Sequence, residues 1–357
     1  MNIKKSITIF LVLFLFNSSF SQIDSMQIGN LWRTFIVYAP NGISNPPLVV
    51  NMHGLGSNAS QQRIYTQFDV IANREKFIVV YPNGINNSWD LSGTRDVIII
   101  LALIDTIDQK YKIDRSRIYA TGFSMGGFMS HKLACEASST FAAIASAGLN
   151  VTYNCSPVQS ISVMQIHGTA DNIVPYSGVA ATINGWISNN GCTNAPQVIS
   201  PYPLNNSNSN VTKEWYKNCK DNSEVVLLRI ENGGHSWPGA LGQSSSINAS
   251  EEIWNFFKNH ATSSNTKKHV FNNNISKITI FTNVSANNRI LIPQITNKIT
   301  EIYIFNLKGQ RIKNFFIKQN NQQNIYIDIS MKEKCKGTYF VVFKSNDRLY
   351  IQKFILN

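Results

Sequence analysis

Between Leu31 and His260 the chain alternates short, almost wholly apolar runs with longer stretches of mixed polarity. A mainly parallel sheet produces that alternation, because strands covered by helices on both faces have no solvent side and need no polar positions. Residues 47–53, 77–81, 117–121, 162–166 and 225–230 are therefore expected as buried strands, each closed by a turn rich in Gly, Pro or Asn. Residues 128–136 and 247–257 are expected as helices, the second capped by Asn248 or Ser250 ahead of Glu251 and Glu252. Functional residues in such sheets collect beyond the carboxyl ends of the strands. Past residue 261 the grammar changes. A small, polar, aperiodic stretch over 262–270 reads as a linker. After it, 278–280, 302–305, 325–329, 338–342 and 349–351 read as short strands between Asn-rich or Gly-containing turns, so 271–357 is expected to be a small all-β sandwich.

The extreme N-terminus adds a destination. Lys4 and Lys5 precede an apolar stretch over 7–16, followed by Ser18, Ser19 and Ser21, which is the layout of an export signal. The stretch is too short to span a bilayer, so residues 1–21 are expected to be removed, with the mature chain starting near Gln22. No stable membrane insertion is expected of the rest. Export also decides how to read Cys135, Cys155, Cys192, Cys219 and Cys335: none has zinc-ligand spacing, and an oxidising compartment favours disulfides. Spacing alone does not dictate connectivity; Cys135 with Cys155 and Cys192 with Cys219 is the preferred pairing, which leaves Cys335 without a partner. The net charge of +12 is uneven: residues 1–261 hold 17 Lys and Arg against 16 Asp and Glu, and residues 262–357 hold 15 against 4. Lysines scattered over alternating strands form a solvated face, and no basic-aromatic motif accompanies them, so nucleic acid is not expected as a partner.

The candidate chemistry lies in three loops. A serine hydroxyl attacks a carbonyl only with a base to take its proton, an acid to orient that base, and N–H donors for the oxyanion. Gly122-Phe123-Ser124-Met125-Gly126-Gly127 follows one expected strand and precedes an expected helix, the context of a nucleophile elbow; a plain glycine-rich strand-to-helix loop is the alternative for the pentapeptide alone. Chain order in an α/β-hydrolase is nucleophile, acid, base. Asp171 follows the strand over 162–166, and His235 stands in a turn after the strand over 225–230, whereas His260 ends a helix and His269 lies in the linker. Ser124, Asp171 and His235 are thus the expected triad. The oxyanion N–H groups are expected from Met125, directly after the nucleophile, and from Leu55 in His53-Gly54-Leu55-Gly56-Ser57. His53 either touches substrate or orients its own loop, and His167 is expected to be structural. Trp89 and Trp237 are expected on rim loops, where an aromatic face could receive an acyl or sugar group, with core packing as the competing view.

These residues also resemble a family. His53-Gly54-Leu55-Gly56, Val79-Val80-Tyr81-Pro82-Asn83-Gly84, residues 118–127, His167-Gly168-Thr169-Ala170-Asp171 with Val174-Pro175-Tyr176, and residues 233–239 look like the poly(3-hydroxybutyrate) depolymerase and feruloyl esterase group, which overlaps carbohydrate esterase family 1. The resemblance covers about residues 28–260. It implies an α/β-hydrolase fold over 22–261, the same triad, and neither metal nor other cofactor. One stretch departs from that pattern: the family carries a longer Asp-Val-Asp-Asp-Val-Gly-like run after Trp89, where this chain has a shortened segment around Arg95-Asp96-Val97. That segment borders the expected cleft and bears on pocket shape. The tail resembles the C-terminal sorting domain of type IX secretion, through residues 302–310, 336–342 and 352–356. The resemblance implies passage through that machinery to the medium or cell surface.

The combined reading is a secreted, monomeric serine carboxylesterase acting through an acyl-enzyme on a polymeric ester. Feruloyl or acetyl groups on plant polysaccharide rank first, poly(3-hydroxybutyrate)-type polyesters second, and aromatic polyesters after them. A serine peptidase of the same fold and a noncatalytic polysaccharide-binding surface protein are the alternatives.

Overall fold

The structure is a computed structural model that describes residues 21–262, apart from 29–30, 152–154, 194 and 244, together with strands set between 289 and 356. Residues 1–20, nearly all of the expected linker with His269, the expected strand over 278–280 and Cys335 lie outside the described residues.

Ten strands form one sheet. In chain order they are β1 (Ser21–Ile28), β2 (Leu31–Tyr38), β3 (Leu48–Met52), β4 (Ile78–Pro82), β5 (Ile118–Phe123), β6 (Ala143–Ala147), β7 (Ser162–Gly168), β8 (Gln197–Ile199), β9 (Val211–Tyr216) and β10 (Val225–Ile230). Their spatial order is β1-β2-β4-β3-β5-β6-β7-β10-β9-β8. The run from β4 to β10 in that order is parallel throughout, and β1, β2, β9 and β8 extend it antiparallel at the two edges. All five apolar runs expected as strands sit in the parallel centre. Their residues divide by parity: Leu48, Val50 and Met52 enter one core and Val49 the other, as a strand covered on both faces requires.

Six helices supply the covers: α1 (Ala59–Thr66), α2 (Phe68–Glu75), α3 (Arg95–Tyr111), α4 (Met125–Glu136), α5 (Val179–Asn190) and α6 (Ala249–Phe257). Ile100, Leu103 and Ile107 of α3, Leu133 of α4 and Trp186 of α5 build one core. Phe68 and Ile71 of α2 with Ile253, Trp254 and Phe257 of α6 build the other, where Trp254 stacks on Phe77 at 3.8 Å. Helix α6 begins where its capping residue dictates: the Asn248 side chain accepts the N–H of Glu251, and Glu251 and Glu252 occupy the first turn.

Strand β6, Ala-Ile-Ala-Ser-Ala, lies outside the pattern of branched runs. Its small side chains let α4 approach closely, since a Cβ on Gly127 would stand 3.2 Å from the Cβ of Ser146. Disulfides join Cys135 to Cys155 and Cys192 to Cys219. No helix among the described residues is long and apolar enough to cross a membrane.

In the tail, β11 (Arg289–Pro293), β14 (Phe316–Asn320) and β15 (Asn324–Asp328) form a three-stranded antiparallel sheet. Strands β12 (Ile299–Asn306), β13 (Arg311–Ile312), β16 (Gly337–Ser345) and β17 (Arg348–Leu356) form a four-stranded one, also antiparallel.

Candidate active site

Ser124 sits between β5 and α4 with φ 52° and ψ −119°, a left-handed conformation that costs a non-glycine residue energy and is held by its surroundings. Its N–H donates to the carbonyl of Ala147 at the end of β6, and its carbonyl accepts the N–H of Phe128. The glycines on either side are obligatory. A Cβ on Gly126 would lie 2.1 Å from the Met52 carbonyl oxygen, and one on Gly122 would lie 2.5 Å from the Gly126 backbone. The turn is thus wedged against the end of β3 with the serine projecting from it.

Asp171 follows β7 in a loop whose backbone serves its carboxylate. The N–H groups of Ile173 and Val174 donate to Oδ1 at 2.9 and 2.8 Å. Oδ2 lies 2.7 Å from Nδ1 of His235 and 3.3 Å from Nε2 of His167. Burial by itself would raise this carboxyl; the hydrogen bonds from His235 and the two backbone N–H groups outweigh it and hold the group below the usual carboxylate range. A carboxylate only accepts, so the His235 proton resides on Nδ1 and Nε2 keeps a free lone pair, the state a general base needs.

The acid and base loops are stitched together by their backbones. Thr169 donates its N–H to the Ile230 carbonyl, Ala170 donates to the Gly233 carbonyl, and the Asn232 N–H donates to the Thr169 hydroxyl at 2.8 Å. A Cβ on Gly168 would sit 2.1 Å from the Gly233 oxygen, so only glycine allows this approach. The His235 ring is confined from the other side by the Phe123 ring, 4.7 Å away, and by Gly148, where a Cβ would stand 3.0 Å from Cε1. Phe123 therefore links the elbow to the base. Neither Phe123 nor Gly148 carried a sequence signal of its own, because their role depends on contacts made across the sheet.

The loop from His53 to Ser57 lies over the elbow: a Cβ on Gly54 would be 3.5 Å from the Ser124 Cβ and from the Phe123 carbonyl. Leu55 follows at the surface, 70% exposed, and Met125 opens α4, where the first N–H groups have no partner within the helix. His53 is wholly buried. Its Nδ1 faces the Gly54 carbonyl at 2.7 Å, and its Nε2 accepts the Gly84 N–H at 3.0 Å. Burial lowers its pKa, and a neutral ring with the proton on Nδ1 satisfies both contacts. It orients its loop and offers no surface to substrate.

The two tryptophans expected on the rim are also enclosed. Trp89 is 4% exposed, donates its indole N–H to the His53 carbonyl at 2.8 Å, and lies 4.8 Å from the His53 ring. Trp237 is 1% exposed, bonded to the Ser250 hydroxyl and set edge-on to Phe68. Indoles so enclosed present no face to a ligand. A turn position next to a strand end did not reveal this, because the covering atoms come from remote segments. The segment around Arg95 forms the first turn of α3: Asp96, 1% exposed, takes Arg33 of β2 at 2.6 Å and the Asp90 N–H at 2.6 Å, so it pins the loop that carries Trp89. Nδ1 and Nε2 of His167 lie 2.9 Å from the Leu149 and Val174 carbonyl oxygens, to which the ring can only donate, in keeping with its expected structural place. No group of three or more His, Cys, Asp or Glu gathers as a metal site among the described residues.

Comparison with known proteins places the chain in a family. Residues 33–186 match the family described as esterase PHB depolymerase, and residues 268–357 match the secretion system C-terminal sorting domain. A probable feruloyl esterase C of Aspergillus clavatus is 31% identical over 234 residues, covering 63% of this chain and 83% of that protein. A bifunctional acetylxylan esterase/xylanase of Neocallimastix patriciarum is 29% identical over 228 residues, and feruloyl esterase B of Piromyces equi 30% over 236. The chain spans only 33% and 42% of the length of these last two. Among solved structures, an acetyl xylan esterase from Aspergillus awamori shares the fold, with a TM-score of 0.52 at 17% identity over 63% of this chain and 94% of that one. With its α/β-hydrolase sheet, its elbow serine and its match to a feruloyl esterase over most of that protein's length, the chain belongs to the esterase PHB depolymerase family and carries a secretion sorting domain at its C-terminus.

Proposed function

We propose that the protein is a secreted serine carboxylesterase, with Ser124 as nucleophile, His235 as base and Asp171 as the acid that orients it. The reading is carried by the Asp171–His235 pair at 2.7 Å, with the ring of Phe123, the residue before a serine held at φ 52°, 4.7 Å from His235. Ser124 attacks the ester carbonyl as His235 Nε2 takes its proton. The N–H groups of Met125 and Leu55 hold the oxyanion, and His235 then returns the proton to the leaving alcohol. Water, activated by the same imidazole, releases the acid from the acyl-enzyme.

Feruloyl or acetyl esters of plant polysaccharide are the proposed substrates, in line with the names of the relatives. The exposed Leu55 and Ile173, 70% and 67% accessible on the oxyanion and acid loops, suit an apolar or aromatic acyl group. We propose further that residues 1–21 are removed on export, that 22–261 form the catalytic unit, acting as a monomer, and that the tail engages type IX secretion machinery. Ser124→Ala is expected to lower turnover of p-nitrophenyl acetate and methyl ferulate by on the order of 10⁴-fold or more with an unchanged unfolding midpoint. Turnover retained by that variant would overturn the assignment.

A further inference from the structure

A cavity of about 570 Å³ opens beside the His235 loop, within the range of about 300–1,000 Å³ typical of small-ligand sites. Its wall includes Gly234 and Ser236, the two neighbours of His235, with Asn232 and Gly233 before them, and the ends of β7 and β10 through Ile166, His167, Gly168 and Ile230. The rest comes from two loops that the catalytic reading leaves unused: 203–210, between β8 and β9, and 238–246, ahead of α6.

The chemistry of the lining is unusual for a ligand site. Asn206, Asn208, Asn210, Asn232 and Gln243 supply amides and Ser236, Ser245 and Ser246 supply hydroxyls, beside Ile166, Ile230, Pro238 and His167, whose ring faces the Leu149 and Val174 carbonyls; no Asp, Glu, Lys or Arg lines it. Some of these groups hold the loops in shape: Asn210 donates to the Glu231 carbonyl and accepts from the Ser246 hydroxyl, and Asn206 accepts the Asn208 N–H. The side chains of Asn208 and Gln243 are exposed and take part in none of these bonds. An amide both donates and accepts, and so does a hydroxyl. A wall whose side-chain donors and acceptors are mainly of this kind has no fixed charge to balance an anion or a cation, and Ile166, Ile230 and Pro238 are its main apolar side chains. It matches a ligand that is neutral and itself dense in paired donors and acceptors.

We propose that this cavity binds the sugar chain that carries the scissile ester, as a site for a neutral, hydroxyl-rich oligosaccharide. The inference rests on the esterase reading and deepens it: the acyl group lies against Ser124, and the glycan continues past the His235 loop into the amide-lined wall. Binding there anchors a polymer one residue from the base without entering the reaction, so its contribution appears in affinity for the carrier.

Titration of the full-length protein with unsubstituted xylopentaose, read calorimetrically, tests this directly. Wild type is expected to bind, and Asn208→Ala/Gln243→Ala to bind about tenfold more weakly, the loss that two neutral hydrogen bonds carry. Because a stripped side chain could be compensated by water, Ser245→Phe, which fills the cavity, is the second variant, and it is expected to abolish binding. No binding by wild type, undiminished binding by both variants, or preferential binding of hydroxybutyrate trimer would each overturn the proposal. Wild-type hydrolysis of methyl ferulate, measured on the same sample, reports on the esterase reading by itself, since that ester has no sugar.

Discussion

His131 lies wholly buried in α4, between the indole N–H of Trp186, which donates to Nδ1 at 2.9 Å, and the Ser146 hydroxyl, 3.0 Å from Nε2. Nδ1 accepts, so the proton is on Nε2 and the ring is neutral, and burial pushes its pKa from 6.5 down to about 3. Between those values the unfolded chain binds a proton that the folded one refuses. The stability conferred by the neutral ring is therefore complete above about pH 6.5 and falls as pH drops toward 3, by up to about 1.4 kcal/mol per unit. Denaturant unfolding at pH 7 and pH 4.5 should show wild type losing more stability over that interval than His131→Asn, whose amide oxygen can still accept from Trp186. Equal losses in both would refute the assignment. Chain order and turn context made His235 and Asp171 legible in the sequence, because both follow apolar strands. The fate of Trp89, Trp237 and His53 was not legible, since burial is decided by atoms far away in the chain.

At the scale of elements, two glycines show how much position decides. Gly126 lies in the first turn of α4, where an added Cβ would stand 2.1 Å from the Met52 carbonyl oxygen, whereas Gly185 lies in α5 with nothing within 4 Å of where a Cβ would stand. Gly126→Ala should displace the elbow, with loss of both esterase turnover and several kcal/mol of stability, on the order of an overpacked core. Gly185→Ala should raise stability by about 0.4–1 kcal/mol, since it removes unfolded-state freedom at no steric cost. Unfolding midpoints of the two variants should move in opposite directions. The central strands were legible as runs of branched residues, and so was the start of α6 from Asn248. Strand β6 was not, because alanine and serine carry no strand preference and their use there answers to the approach of α4. The edge strands β1, β8 and β9 were missed for a related reason, for their pairing is set by neighbours and their sequences lack a continuous apolar run.

The whole molecule joins a nearly neutral stretch, residues 1–261, which holds two disulfides, to a basic tail with antiparallel strands. Cys192–Cys219 ties the end of α5 to the turn after β9 across 27 residues of chain, and Cys135–Cys155 ties α4 to the loop after β6 across 20. Each is expected to contribute about 3 kcal/mol by restricting the unfolded chain. Cys192→Ser/Cys219→Ser should thus lower the thermal midpoint by several degrees under oxidising conditions; an unchanged midpoint would show that the bridge adds nothing. The proposed division into two units rests on the change from buried runs to short polar-flanked strands, and on the abrupt shift of charge. The cavity beside the His235 loop was invisible, because its amides come from loops that meet only after β9 and β10 pair. The Arg33–Asp96 contact fastens β2, α3 and the loop of Trp89 at one point. Replacing Asp96 alone strands the Arg33 guanidinium in the interior, whereas replacing Arg33 leaves Asp96 paired with Arg95 at 3.2 Å. Divergence of this stretch is thus constrained at Asp96 more than at Arg33, and a lineage exploring new substrates would find its easier path through exposed loops.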